Sequence, residues 1–428
     1  MTYPNDSGVY SAETLGYSPP VINYQYYPLI WNVDDKDFLV WMQRGGTPYN
    51  NEDMVLVYDH YRKKISDSFA WGEINPPNDD VHLQAALMAT DDKKLLVLAE
   101  NPHNGACYIK KSGANYDIST YTTHGSFGTL FAYPHIHKFT NGDLYLIYRK
   151  NSGGSAIGHK SEHGIYKSTD NGENWTDLGL IMTLVNEAGG NDNLEWAYPL
   201  TPFFNGDKIG VFLNRRRGYL PWSMPSLYYY ETIDGINWHN AGEGHTQSAT
   251  ITEANLDDYY RVFQYGDGSY QTGKVIRASG ACFVGDNPYA IGGDGSDNVL
   301  PTLYYFDGSN WQHKAITCSG HTLLPFIASA TGNPNSNAFN NACPMIYNNG
   351  YLYAYMIEQV SGYGQASLFR TNDDGTTWEY VKQITSGNYD YMDIHISGNY
   401  AATGKGIVAI GRKTTTTYGD LWIEKITL

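Results

Sequence analysis

The sequence predicts an all-β fold, a seven-bladed β-propeller, on three observations. The 428 residues hold 38 Tyr and 45 Gly but no long amphipathic helical pattern, and Tyr favours strands while Gly favours turns. A turn pattern ending in Trp recurs along the chain. Short Asn/Asp/Gly turns, each followed by an apolar or aromatic strand, recur upstream of it.

The Trp turns come first. Ser168-Thr169-Asp170-Asn171-Gly172-Glu173-Asn174-Trp175 and Thr371-Asn372-Asp373-Asp374-Gly375-Thr376-Thr377-Trp378 share the pattern S/T-x-D-x-G-x-x-W. Asp234-Gly235-Ile236-Asn237-Trp238 and Asp307-Gly308-Ser309-Asn310-Trp311 are one residue shorter. The four tryptophans stand roughly 60 to 75 residues apart, a length suited to a four-stranded blade. The Asp side chain can bond the amides of its own turn, Gly can take a positive φ, and Trp can pack back onto the sheet. The pattern resembles the Asp box, or bacterial neuraminidase repeat. Its residues are read as turn builders and none is placed in the site.

The second repeat comprises the turns at Asn32 to Asp37, Thr90 to Lys94, Asn141-Gly142-Asp143, Asn205-Gly206-Asp207 and Asn348-Asn349-Gly350. Several preceding strands open with residue-Pro pairs: Tyr27-Pro28, Tyr133-Pro134, Tyr198-Pro199 and Cys343-Pro344. Proline is tolerated there. These units place blades near 24–68, 80–118, 131–182, 196–242, 274–316, 341–385 and 391–428. Residues 1–428 read as one domain, with 1–20 as an N-terminal arm and 243–273 as an insertion loop.

The formal net charge of −16 disfavours nucleic acid and anionic membranes as partners, and no apolar run is long enough to span a bilayer. A polyanion could bind only through a local basic pocket, so clustered arginines matter. Cys107, Cys282, Cys318 and Cys343 are far apart and do not form a disulfide framework. Cys318, His321 and Cys343 are conceivable ligands for the structural calcium or zinc ion that such propellers can carry, but they lack zinc-finger spacing.

In a propeller, the entry to strand 1 and the end of strand 2 open on one face. Strand 2 ends at Arg44, just before His103, at Arg149, and at Arg215-Arg216-Arg217 in successive units. Strand 1 is entered by His124 and Tyr133 in the third unit and by Trp196 and Tyr198 in the fourth. The expected pairs are Tyr133 with Arg149, and Tyr198 with Arg215 or Arg216. Each has an ordinary alternative, a loop histidine, a solvated arginine or a packing tyrosine. Convergence on one face of an acidic protein favours function. Two His, a Tyr and an Arg suit β-elimination of a uronate polysaccharide. Arg offsets the sugar carboxylate and stabilises the enolate-like intermediate, while His or Tyr moves the protons. That chemistry requires no cofactor.

Residues Phe131 to His137, then Asn141 to Arg149, then the turn at Ser168, resemble the neuraminidase-repeat proteins that include the seven-bladed ulvan lyases. So does Asn101-Pro102-His103-Asn104, followed by Tyr108 and Lys110-Lys111-Ser112. The resemblance covers most of 80–240 by motif. It implies a secreted endolytic lyase acting on a sulfated, uronate-containing polysaccharide; the chain is expected to be a monomer. Secretion presumes a mature chain, since no signal peptide follows Met1. The family order His, His, Tyr, Arg implies His103, His124, Tyr198 and Arg215 as catalytic residues. Tyr133, Arg149, Arg216 and Tyr260 (or Tyr259) are implied or expected to bind substrate.

Two rivals remain at this point. A sialidase would share the turn repeat but resemble its family in an Arg-Ile-Pro segment; the nearest analogue here, Tyr27-Pro28-Leu29, has no arginine. A non-catalytic glycan-binding propeller would use the abundant Tyr and Trp equally well.

Overall fold

The alternation of apolar and polar residues resolves into antiparallel hairpins. The structure is a computed structural model. It describes residues 7–11, 20–21, 30–44, 51–59, 64–65, 69–73, 85–99, 106–129, 131–152, 160–185, 195–199, 202–217, 223–242, 250–266, 276, 278–293, 301–324, 343–387, 390–413 and 418–428. The fold is an all-β propeller. The described strands fall into seven sheets, numbered here in chain order.

Sheet 1 spans the strands between Pro20 and Glu73 around the central strand Lys36–Arg44. Sheet 2 comprises Ala85–Ala89, Leu95–Ala99, Ala106–Ser112 and Tyr121–Thr129. Sheet 3 comprises Phe131–Lys138, Leu144–Ser152, Lys160–Ser168 and Thr176–Val185. Sheet 4 is built from Glu195–Pro199, Phe203–Asn205, Lys208–Arg217, Ser223–Thr232 and Arg261–Gln264. Sheets 5 and 6 occupy Ala278–Ala315 and Met345–Gln383. Sheet 7 contains Asp390–Ile396, Ile407–Lys413, Tyr418–Lys425 and, from the other end of the chain, Ser7–Ser11.

The Trp turns show why their sequence repeats. Ser168 Oγ donates to Asp170 Oδ1 at 2.8 Å and accepts from the Gly172 amide at 3.0 Å. Asp170 Oδ1 also accepts from the Asn174 amide at 2.9 Å, and Trp175 Nε1 donates to the Gly172 carbonyl at 3.1 Å. Gly172 has φ +83°, a conformation that costs glycine little. The amides of Thr377, Asn237 and Asn310 donate in the same way to Asp373, Asp234 and Asp307.

Among the described residues, apolar clusters fill the spaces between neighbouring sheets. Leu144, Leu146 and Tyr148, with Phe131 of the same sheet, pack toward sheet 2 against Leu96 and Leu98. The alternate residues Tyr145 and Ile147 pack toward sheet 4, with Val211, Leu213, Tyr228 and Tyr230. This is the period-2 alternation of a strand buried on both faces.

Two of the expected segments carry more structure than an arm and a loop. Within 1–20, Ser7–Ser11 pairs with Asp420 to Glu424 as the outer strand of sheet 7. Within 243–273 lie a helix, Glu253–Tyr259, and the strand Arg261–Gln264, which pairs with Ser226 to Tyr228. Neither segment contains the turn motifs used to place strands, so the sequence pattern passes over them.

Polar contacts join the sheets at the turn end. Lys405 pairs with Asp35 at 2.6 Å, Lys93 with Asp34 at 3.1 Å, and Lys138 with Asp91. Thr140 donates to Asp207, and Lys208 donates to the Asp286 carbonyl at 3.0 Å. Such exposed contacts are individually weak, but they set one sheet against the next.

Candidate active site

A group of charged and titratable side chains lies on sheet 3, away from its Trp turn. The strands Leu144–Ser152 and Lys160–Ser168 pair from Leu144 with Ser168 at the turn end to Ser152 with Lys160 at the other. Arg149 pairs with His163, close to that second end. Across the other hairpin Arg149 pairs with Ala132, not Tyr133. The ladder skips from Ala132 to His135, so Tyr133-Pro134 forms a bulge.

Tyr133 has φ +57°. That is a costly conformation for a bulky residue, and doubly unusual before proline. The bulge swings its ring over Arg149, whose Cζ lies 4.1 Å from the ring centroid. Expected as cross-strand partners, the two residues meet instead through this stacked contact. Both are essentially fully buried.

Two histidines complete the group. His163 is buried, and its Nδ1 lies 2.7 Å from the Tyr230 hydroxyl of sheet 4. His135 is buried too. Burial, and secondarily the nearby His163, holds it well below the usual histidine range, so it is neutral at pH 7. Burial likewise pushes the Tyr230 hydroxyl up. The sequence reading did not single out His135, His163 or Tyr230. The bulge moves His135 out of simple alternation, and His163 stands in a strand without a turn motif.

In sheet 4 the register differs by one from the expectation. Ala197 pairs with Arg215, Tyr198 with Asn214, and Trp196 with Arg216. The ladder between Lys208–Arg217 and Ser223–Thr232 is irregular between Arg215 and Arg217, which the Arg triplet conceals. Arg215 is buried and engages two carboxylates: Nη1 lies 2.8 Å from Asp257 Oδ2, and Nη2 meets Glu253 Oε1. Tyr228 donates to Asp257 Oδ1 at 2.5 Å. A guanidinium held this way has its charge offset within the protein.

The remaining expected residues separate. Tyr260 is buried at the end of the helix, donating its hydroxyl to the Trp238 carbonyl at 3.1 Å. Tyr259 is exposed. His124 lies near the turn end of sheet 2, with Nδ1 2.8 Å from Glu173 Oε2 in the Trp turn of sheet 3. Lys111 bonds the same Glu173 at 2.7 Å. His124 therefore stands apart from Arg149. His103 lies outside the described residues.

The cysteine and histidine of the expected metal site have other contacts. Cys318 Sγ donates to the Trp378 carbonyl at 3.3 Å, and His321 Nδ1 lies 2.6 Å from Glu358 Oε2. Cys343 is buried, which pushes its thiol up. Among the described residues, no group of three or more His, Cys, Asp or Glu is arranged to hold a metal ion.

Residues 49–317 match the model of the BNR repeat-containing family. No curated protein matches the sequence. Among solved structures, a PL25 ulvan lyase bound to -[GlcA(1-4)Rha3S]- aligns over 96% of both chains, with TM-score 0.70 and 13% identity. A second structure of a PL25 ulvan lyase aligns over 96% of both chains with TM-score 0.71, also at 13% identity. The polysaccharide lyase Uly1 aligns over 95% of this chain and 92% of its own, with TM-score 0.65 and 13% identity. At these identities the likeness is one of fold. In the described part of the chain no helix is long and apolar enough to cross a membrane.

Proposed function

Because the chain belongs to the BNR repeat-containing family, we propose that it is a polysaccharide lyase cleaving a uronate-containing, sulfated, ulvan-like polysaccharide by β-elimination. The observation that carries this reading is the grouping of one cation, Arg149, with Tyr133, His135 and His163 at one end of sheet 3. The near-complete alignment with an ulvan lyase that holds a GlcA-containing repeat supports it.

In this reaction a base removes the C5 proton of the uronate. The electron pair forms the C4–C5 double bond, the C4–oxygen bond breaks, and an acid protonates the leaving oxygen. Negative charge builds on the sugar carboxylate in the transition state, and a fixed cation in a water-poor setting stabilises it. Arg149, buried beneath the Tyr133 ring, is assigned that role. A neutral imidazole can accept a proton at pH 7, and burial keeps His135 neutral. Tyr198 and His103 join the proposal as proton-transfer groups; the strand of Tyr198 packs beside that of His163. Arg216, neighbouring Arg215 in the ladder, is assigned to substrate binding. His124 and Tyr260 are left out, for the contacts given above.

The same reading takes each of the seven sheets as one blade, the Asp-Gly-Trp turns as Asp boxes, and the chain as one secreted, monomeric domain. The test is incubation with ulvan and other uronate polysaccharides, following the ultraviolet absorbance of unsaturated uronate ends. Growing absorbance supports the lyase. Release of sialic acid from a sialoglycan, or glycan binding without any product, would replace it with a hydrolase or a lectin.

A further inference from the structure

We propose that Arg215 is a positioning residue: it locks a strap, residues 250–264, across sheets 3 and 4 and so sets the gap between them. The strap begins on sheet 3. The Ile251 amide donates to the Ile181 carbonyl at 2.8 Å, and the Thr183 amide donates to the Ile251 carbonyl at 2.9 Å. It then forms the helix Glu253–Tyr259, whose Leu256 is buried in the core between the two sheets. It ends on sheet 4, where the Tyr229 amide donates to the Tyr260 carbonyl at 2.9 Å and Arg261–Gln264 joins the ladder.

Arg215 fastens the middle of this strap. Glu253 and Asp257 are four residues apart, so they share one face of the helix. Both reach the single guanidinium of Arg215, and Tyr228 holds Asp257 from the same sheet. The Arg215 side chain is 1% exposed, against 43% and 32% for those of Glu253 and Asp257. The cation thus belongs to the interior and the helix closes over it.

The strap matters because the groups assigned to the reaction straddle the two sheets. Arg149 and His163 stand on sheet 3. Tyr198 stands on sheet 4, next to Ala197, the strand partner of Arg215. Groups that share a reaction must keep their spacing to a fraction of an ångström. Only this kinetic consequence rests on the lyase reading.

The experiment uses the full chain and the variants Arg215→Gln, Arg215→Lys, Glu253→Gln, Asp257→Asn and Arg215→Gln/Asp257→Asn. Hydrogen exchange is followed at the Thr183 amide, which is remote from Arg215 in sequence and bonds the strap. Arg215→Gln and Asp257→Asn should each speed its exchange about tenfold, with the double variant no faster than Arg215→Gln alone, as expected for one coupled unit. Arg215→Lys should restore part of the protection. Parental protection in both Arg215→Gln and Asp257→Asn would overturn the proposal. If Arg215→Gln fails to fold, Glu253→Gln and Asp257→Asn carry the same test.

Kinetics on ulvan supply the second readout. The carboxylate variants should lower kcat several-fold with little change in KM, in parallel with Arg215→Gln. Loss of activity in Arg215→Gln alone, with the carboxylate variants at parental turnover, would mean that Arg215 meets substrate and would overturn the proposal. If no uronate polysaccharide is cleaved by any of these proteins while the exchange coupling holds, the lyase reading fails and the strap lock stands.

Discussion

The guanidinium of Arg149 lies 4.1 Å from the ring centroid of Tyr133, and Tyr133 adopts φ +57° to meet it. Backbone strain of this kind persists where the surrounding structure holds it, and such sites are often functional. The strain is retained here at the point where a cation, a phenol and two imidazoles come together. A bulge that re-aims a side chain is a recognised device near active sites.

The first prediction concerns this pair. Arg149→Ala should lower kcat/KM on ulvan by about a hundredfold or more, the scale of losing a fixed charge-stabilising donor. Arg149→Lys should fall between, since it keeps the charge and loses the planar stack. Circular dichroism would confirm that the variants fold. Parental turnover in a folded Arg149→Ala variant would remove Arg149 from the mechanism.

The second concerns pH. His395 is buried in sheet 7, and burial pushes its pKa down from 6.5 to about 4. The unfolded chain therefore binds a proton at a pH where the folded chain does not. The stability this histidine permits is complete above pH 6.5, falls as the pH drops toward 4, and changes no further below that. The loss across the window is at most ~3 kcal/mol. His135 acts in the same direction. Urea unfolding from pH 7 to 4 should show a shallower decline in His395→Leu than in the parent; equal slopes would contradict the assignment.

The third concerns ring closure. Asn32 and Asn399 bond reciprocally: the Asn32 amide donates to Asn399 Oδ1 at 2.9 Å, and Asn399 Nδ2 donates to the Asn32 carbonyl at 2.7 Å. Ser397 Oγ donates to the buried Asp37 at 2.8 Å beside them. Asn399→Ala should destabilise the fold by about 1–3 kcal/mol, leaving backbone groups of sheet 1 without their partner. Removing residues 1–11 should add to that loss, because Ser7–Ser11 completes sheet 7. Chemical denaturation midpoints measure both.

The fourth concerns a close approach between sheets 5 and 6. A Cβ on Gly280 would lie 1.8 Å from the Cys343 carbonyl oxygen, whereas one on Gly125 would meet nothing within 4 Å. Backbone cannot yield as a flexible side chain does. Gly280→Ala should cost about 2 kcal/mol or more, and Gly125→Ala less than about 0.5 kcal/mol. Similar melting temperatures for the two variants would refute the contact.

Local chemistry made much of the fold legible in advance. Asp170, Gly172 and Trp175 build a turn from contacts within a few residues, so their pattern announces the turn wherever it occurs. Tyr133 and Arg149 were visible as a pair because a hairpin keeps them near one another. Three-dimensional packing decided the rest. The bulge at Tyr133-Pro134 changed their meeting from a ladder pair to a stack, and moved His135 into the group. Arg215 gained its carboxylates from a helix about 40 residues away that carries no recognisable motif. His124 was drawn to Glu173 of a neighbouring sheet. Turns are encoded by their own few residues, whereas the partner of a buried charge depends on which distant segment the completed sheets bring against it.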